Sequence, residues 1–383
     1  MLISGLYENA IIYSDENNIE LQAIEQIKDF LNQPYAKGSN VRIMPDVHSG
    51  SGCVIGFTAK LTNVVVPNII GVDIGCGVIA WKLGRVNIDF KKLDDFIRTN
   101  IPHGNNVRNS LFNFNSISSF NKYHDLLEKI DEVKNKLMIN SNRFDVSLGT
   151  LGSGNHFLEI DIDEEGNYWF IVHSGSRNFG LQIANAYHKI AKLFVKENCI
   201  DVPSKLEYLV GKDAQNYFND MEIAQNYASL NRRIMGYVVI NDFFNLNYDN
   251  TEYVESVHNY IDFKYKIIRK GSISAQKGEQ VIIPLSMADG IIIGTGKGNE
   301  NWNCSAPHGA GRKLSRNVAK SILSIDDFSR VMAERNIWSS CISKKTLDES
   351  PMAYKDEDSI IKYLKETVNI ERRLRPVYNF KAD

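Results

Sequence analysis

The chain has no run of the roughly 18 consecutive apolar residues that a membrane span needs, and its N-terminal "MLISGLYENAIIYSDE" has no basic n-region. A membrane protein and a secreted one are both unexpected on that ground. Disulfide scaffolding is unexpected too. The five cysteines, Cys53, Cys76, Cys199, Cys304 and Cys341, are odd in number and scattered. A reducing compartment, the cytoplasm, is the expected location. Neither sign of charge is in excess: the formal net charge is -2. That balance neither announces nor excludes nucleic acid, since binding depends on where charges lie. Internal repeats, low-complexity tracts and linkers are also missing, which favours one domain over residues 1–383.

What is present is ordinary for a globular protein: 383 residues, 43% hydrophobic and 23% charged, enough for a large core. Helical spacing is clear in "IANAYHKIAKLF", where Ile183, Ala184, Tyr187, Ile190, Ala191 and Phe194 share a face and His188 lies off it. "YHDLLEKIDEVKNKL" predicts a second helix, with Leu126, Leu127, Ile130, Val133 and Leu137 turned inward. A third spans about 214–236, and "EDSIIKYLKETV" reads as the last. Short apolar runs bounded by Gly, Asn or Pro read as strands: "GCVIGFTAKL", "NVVVPNIIGV", "QVIIPL" and "GIIIGTG". Strands and helices come in clusters without strict alternation, so the expected class is α+β.

"IIGVDIGCGVIA", residues 69–80, begins and ends like a buried strand but carries Asp73 and Cys76 between glycines. A capped turn beside a small buried thiol would explain it. So would a carboxylate and a thiolate presented to one metal ion. Histidines are few, eight in all. His103, His124 and His188 read as surface residues. His156 in "GTLGSGNHFLEI" and His173 in "FIVHSGSRNFG" flank the turn "EEGN" at 164–167. A hairpin centred near 164.5, or one residue later, puts both rings on one face. With Asp73 and Cys76 they suggest a metal pocket, and His258 in "ESVHNYIDF" is a further candidate, although a satisfied helix histidine would look the same. Five ligands exceed the needs of one tetrahedral ion, whereas two metals sharing Cys76 would use them all. In "CSAPHGAGRKLSR", small residues surround His308, and Arg312 and Arg316 at helical spacing could grip phosphate oxygens. Histidine can act as a covalent nucleophile. A helix N-terminus with a polar cap fits the same segment. Three basic clusters, "NRR" at 231–233, "GRKLSR" at 311–316 and "ERRLR" at 371–375, could meet phosphates or form solvated helix faces.

Taken together, "MPDVHSGSGCVIG", "GVDIGCGV", "GTLGSGNHFLE", "HSGSR", the His258 segment, "HGAGRKLSR" and "AYKDED" resemble, in order and spacing, the RtcB family of RNA-splicing ligases. The resemblance runs from about Asp46 to Lys381. It implies a single-domain RtcB-like α+β fold and a GTP- and manganese-dependent ligase joining an RNA 3'-phosphate or 2',3'-cyclic phosphate to a 5'-hydroxyl, in RNA repair or tRNA splicing. By motif, His308 would carry a covalent guanylate, and Asp73, Cys76, His156, His173 and His258 would hold two Mn2+ ions with Cys76 bridging. Asn155 and Arg177 would hold phosphates, and Asp46 would sit near the reacting centre. Glu159, Pro284, Ser286, Tyr354 and Lys381 match positions around the guanine nucleotide, with Arg312 beside the nucleophile. An archease-like activator is a further implied partner. The family's usual Pro-Gly-Ser-Met loop reads "PLSMADG" here, its usual Lys-Gly terminus reads "FKAD", and the chain is similar to shorter paralogues linked to repair of nicked structural RNA. Thiolate and imidazole donors alone would favour zinc; manganese comes from the resemblance. A dinuclear metallo-phosphoesterase and an RNA-binding module with structural metals are the rival readings: label transfer from α-labelled GTP to the protein separates the ligase from the first, and the second predicts tight RNA binding without turnover.

Overall fold

A computed structural model describes residues 1–141 and 143–382. Three sheets and a set of helices make an α+β architecture. The largest is an antiparallel seven-stranded sheet in the order Gln280–Pro284, Ile291–Gly296, Val368–Phe380, Phe157–Ile162, Tyr168–Ser174, Gly77–Gly84, Tyr253–Val257. A six-stranded mixed sheet runs Leu2–Ser4, Asn9–Ile12, Val41–His48, Ile55–Lys60, Ile267–Lys270, Asn259–Asp262, with one parallel pairing between its second and third strands. Ser272–Ser274 and Ser305–Pro307 form a two-stranded ribbon.

Tyr168–Ser174 and Gly77–Gly84 are largely apolar because both faces of the larger sheet are covered there. Alternation divides their side chains between two cores. Ile79, Trp81, Phe170 and Val172 join the main core, while Val78, Ala80, Trp169 and Ile171 join a second cluster with Val254, Ile291 and Leu374. The helix Gly211–Tyr237 lies on the first face. It comes so close that a Cβ on Gly236 would stand 2.4 Å from the Trp81 ring.

The expected helices are found at Leu126–Lys136, Arg177–Glu197, Gly211–Tyr237 and Glu357–Leu364. "GCVIGFTAKL", "QVIIPL" and "GIIIGTG" each contain a strand. "NVVVPNIIGV" does not: Val65 makes an isolated bridge to Leu209, and Pro67–Ile70 is a short helix opened by the proline. The last long element is the thirteen-residue strand Val368–Phe380, which follows the final helix and was not anticipated; its charged first half masks the alternation. No helix among the described residues is long and apolar enough to cross a membrane.

Two of the basic clusters lie where phosphate could not reach them or where acids already pair with them. Arg232 and Arg233 are buried on the helix, both bonded to Glu255 at 2.8 and 2.7 Å. Arg372 and Arg373 lie on the last strand and face Asp163 and Glu357 at 3.4 Å. Of the three histidines expected at the surface, His124 is exposed; His103 and His188 are half-buried, His188 against Asn68 at 2.7 Å.

Candidate functional site

The loop between Pro67–Ile70 and Gly77–Gly84 is a tight turn, with the Cys76 N–H donating to the Asp73 carbonyl at 3.3 Å. It therefore points both side chains the same way. Gly175 crosses beneath it so closely that a Cβ there would fall 2.2 Å from Asp73 Oδ1. Only glycine fits that crossing.

The hairpin register differs from the expected one. Phe157, not His156, pairs with His173, so the centre falls between the two registers considered. As an extension of its strand, His156 would face away from His173. It instead precedes the strand, in the glycine-rich turn, and that turn brings its ring to 5.4 Å from the His173 ring. His258 is no helix residue. It sits between the strands Tyr253–Val257 and Asn259–Asp262, its N–H bonded to the Cys76 carbonyl at 2.9 Å.

The result is two groups of three donors sharing one sulfur: Asp73, Cys76 and His156, and Cys76, His173 and His258, each with donor atoms within 4.8 Å of one another. Cys76 Sγ lies 3.5 Å from His156 Nε2 and 3.3 Å from His173 Nε2. His173 Nε2 is 3.4 Å from His258 Nε2. The Nδ1 atoms of His156 and His173 face the carbonyls of Leu151 and Asn155 at 3.0 and 3.1 Å. Those bonds place the protons on Nδ1 and leave both Nε2 lone pairs for a cation. Burial holds His173 and His258 far below the ordinary imidazole range, hence neutral. Burial opposes charge on Asp73, but the neighbouring His156 ring, the Cys76 thiol and the Ser176 N–H together outweigh it and hold the carboxyl below its ordinary value. Burial and Asp73 push the Cys76 thiol up, so ionising it requires a positive partner.

Behind these donors the cluster "NRR" acts as a clamp. Asn231 accepts from the N–H groups of Gly149 and Thr150 at 2.8 and 3.0 Å and donates to the carbonyls of Thr150 and Gly175. Arg232 donates to the carbonyls of Gly75 and Ser174 at 2.8 and 2.9 Å. One helix turn thus ties together the segments that carry Asp73, Cys76, His156 and His173.

His308 closes the cavity beside this cluster, its ring 4.8 Å from that of His258. It follows the ribbon strand Ser305–Pro307, and its Nδ1 donates to Asp46 Oδ2 at 2.6 Å. Its own N–H reaches the same oxygen at 3.1 Å. Asp46 is fully buried on the strand Val41–His48. The polar-cap reading of this segment belongs to Ser315, which caps the helix Arg316–Ile322, seven residues beyond the histidine. Arg312 and Arg316 are consequently not on one helix, since Arg312 bridges Tyr354 in extended backbone. They converge nevertheless, on Glu349 at 3.2 and 2.6 Å.

A cavity of about 460 Å³ is lined by Asp73, Cys76, Asn155, Glu159, His173, His258, Pro284, Ser286, His308, Arg312, Tyr354 and Lys381. Most of the residues singled out in the sequence therefore share one space. Arg177 does not reach it: its guanidinium donates to the Gly104 carbonyl and the Thr150 hydroxyl at 2.8 and 3.1 Å, which binds the glycine loop from behind. Glu159 is buried and accepts from Asn379, and burial raises its carboxyl. Glu349, which no local sequence pattern marks, is the hub that takes Tyr354, Lys381, Arg312 and Arg316 together. Burial opposes its charge, yet Lys381, Arg316 and Arg312 prevail and hold it at about 2. His48 was not singled out in the sequence either. It lines the cavity with Nδ1 on the Asp46 carbonyl at 2.9 Å, and burial lowers it to about 4. Its signal was its place two residues after Asp46, on the same strand face.

The site thus sets a half-buried histidine on a buried carboxylate beside a cysteine-shared set of imidazoles and a second carboxylate. The family model described as tRNA-splicing ligase RtcB matches residues 26–382, and the chain belongs to that family. It is 31% identical to the RNA-splicing ligase RtcB of Escherichia coli K12, over 95% of each chain. Identity is 32% to the tRNA-splicing ligase RtcB of Nanoarchaeum equitans, over 89% of this chain and 87% of that one. To the tRNA-splicing ligase RtcB of Aeropyrum pernix it is 28%, over 96% and 94%.

Proposed function

We propose that this chain is a cytoplasmic GTP-dependent RNA ligase, joining RNA 3'-phosphate or 2',3'-cyclic phosphate ends to 5'-hydroxyl ends through a guanylate on His308. Its partners are those RNA ends, GTP and an archease-like activator. The observation that carries the reading is the Asp46–His308 pair. A proton fixed on Nδ1 by a buried carboxylate leaves Nε2 as a nucleophile facing the cavity.

Nε2 of His308 attacks the α-phosphorus of GTP and pyrophosphate leaves, while Asp46 compensates the positive charge that the ring acquires. An oxygen of the RNA 3'-phosphate then attacks the same phosphorus. The N–P bond breaks, its electron pair returns to His308, and the RNA end is capped by GMP. In the last step the 5'-hydroxyl oxygen attacks the RNA phosphate, GMP leaves and the hydroxyl proton is lost. A cyclic phosphate is opened by hydrolysis before the second step. Two Mn2+ ions on Asp73, Cys76, His156, His173 and His258 would supply Lewis-acid polarisation of these phosphates. The shared sulfur and the two carbonyl-anchored imidazoles support that assignment. Asn155 faces the phosphates. Glu159, Pro284, Ser286, Tyr354 and Lys381 surround the guanine nucleotide, with Arg312 braced by Glu349 next to the nucleophile. Arg177 braces the glycine loop from behind rather than meeting a phosphate.

The test follows the phosphorus. If GMP is attached to the RNA 3'-phosphate, the junction phosphate comes from the 3' end and GTP contributes none. An oligonucleotide labelled at its 3'-terminal phosphate, ligated to a 5'-hydroxyl acceptor and digested, should carry its label at the new linkage. Loss of label on joining, or a need for a 5'-phosphate acceptor, would overturn the reading.

A further inference from the structure

Lys355 follows Tyr354 in "AYKDED" but turns away from the nucleotide cavity. Its backbone N–H donates to the Gly311 carbonyl at 3.0 Å, three residues beyond His308. The N–H groups of Lys313 and Leu314 return the connection, both to the Ala353 carbonyl. Residues 353–355 are thus zipped along the segment that carries His308. The Lys355 side chain crosses to the strand that carries Asp46. There its ammonium donates to the Pro45 carbonyl at 3.2 Å and the Val47 carbonyl at 2.7 Å, one on each side of Asp46.

Three backbones meet at this point with no room to spare. A Cβ on Gly311, whose φ is +73°, would lie 2.4 Å from the Asp46 carbonyl oxygen. A Cβ on Gly56 would lie 3.0 Å from Asp46 Oδ1, an atom with no hydrogen-bond donor among the described residues. The orientation of the Asp46 carboxylate therefore depends on its backbone, and the bonds that fix that backbone on either side come from Lys355. An ammonium spent on two carbonyls is costly to bury. Charge facing it from Asp46 and Glu20 offsets part of that cost.

We propose that Lys355 is the positioning residue of the nucleophile: by gripping the peptide on both sides of Asp46 and the chain beyond His308, it holds Asp46 Oδ2 against His308 Nδ1. The proposal rests on the His308 reading above for its kinetic consequence, but not for its geometric one.

Lys355→Met keeps length and removes the donors; Lys355→Arg keeps donors. Adduct formation from α-labelled GTP is followed in a single turnover, with thermal unfolding as the check on folding. Lys355→Met should lower the maximum rate by about 10- to 100-fold, the scale of a small misplacement of reacting groups. The GTP concentration at half-saturation should stay unchanged, and Lys355→Arg should recover much of the rate. If the methionine variant does not fold, Lys355→Gln, which retains one donor group, takes its place. A second reading needs no GTP. The strongly deshielded Nδ1 proton of His308, identified by its loss in His308→Ala, should be present in the parent and shifted or exchanged away in Lys355→Met. A wild-type protein that forms no adduct would sink the ligase reading while this resonance still decided Lys355. An unchanged resonance in Lys355→Met, an unchanged adduct rate, or a loss seen wholly as weaker GTP saturation would overturn the proposal.

Discussion

Cys76 is the residue on which the two donor groups depend, because it alone belongs to both. A shared ligand couples two ions, whereas a terminal ligand touches one. Cys76→Ser should therefore lower the content of both metals together after equilibration with Mn2+ and desalting. His258→Ala should spare the ion on Asp73 and His156. Metal analysis that found equal and independent losses in the two variants would remove the sharing role. Glu349 makes a different kind of prediction. Its carboxyl is held at about 2, below an unfolded value near 4.3, so its contribution is complete above the unfolded value and is lost as pH falls towards the folded one. The shift corresponds to about 3 kcal/mol at neutral pH, as an upper scale. Glu349→Gln should be less stable than the parent at pH 7, and urea unfolding should show that difference shrinking between pH 5 and pH 2. A difference independent of pH would mean that charge at this hub does not support the fold.

At the scale of elements, the helix Gly211–Tyr237 positions the site by holding loops that have no regular structure of their own. Replacing Arg232 by Met would leave Glu255 with Arg233 as its remaining partner and would free the carbonyls of Gly75 and Ser174. Breaking a buried pair in this way costs about 3–5 kcal/mol, and half that if Arg233 compensates. Calorimetry should show the drop, with weaker Mn2+ retention; full stability would contradict the clamp. This clamp also shows where sequence reading stops. Asn231 and Arg232 carry no local mark that separates a buried brace from a phosphate-binding face, because their partners lie more than 20 residues away or farther. Helices such as Arg177–Glu197 were legible because a 3.6-residue stripe is a local property. The strand Val368–Phe380 was not, since its first half pairs at a bulged register and alternates charged residues with few apolar ones. Proline explains the misread "NVVVPNIIGV": it opened a helix where β-branched residues alone suggested a strand.

Across the whole molecule, one cavity gathers side chains from both large sheets and the ribbon. His48 comes from the six-stranded sheet, Glu159 and His173 from the seven-stranded one, and His308 from the end of the ribbon, with Asp46 buried behind it. The donor residues themselves were visible as short glycine-flanked motifs, because a close crossing such as Gly175 under Asp73 demands glycine locally. Their convergence was not visible in spacing. His156 reaches its partners through a turn rather than through the expected strand register, and Arg177 faces away from the space it was expected to enter. Nε2 of His308 is the atom proposed to receive the nucleotide. The protein, its His308→Ala variant and Mn2+ should be incubated with α-labelled GTP, and labelled protein should be digested and mapped. The prediction is one labelled site, His308, with a bond that is acid-labile and alkali-stable, and no label in the folded alanine variant. Label on a lysine, or label surviving in His308→Ala, would contradict it.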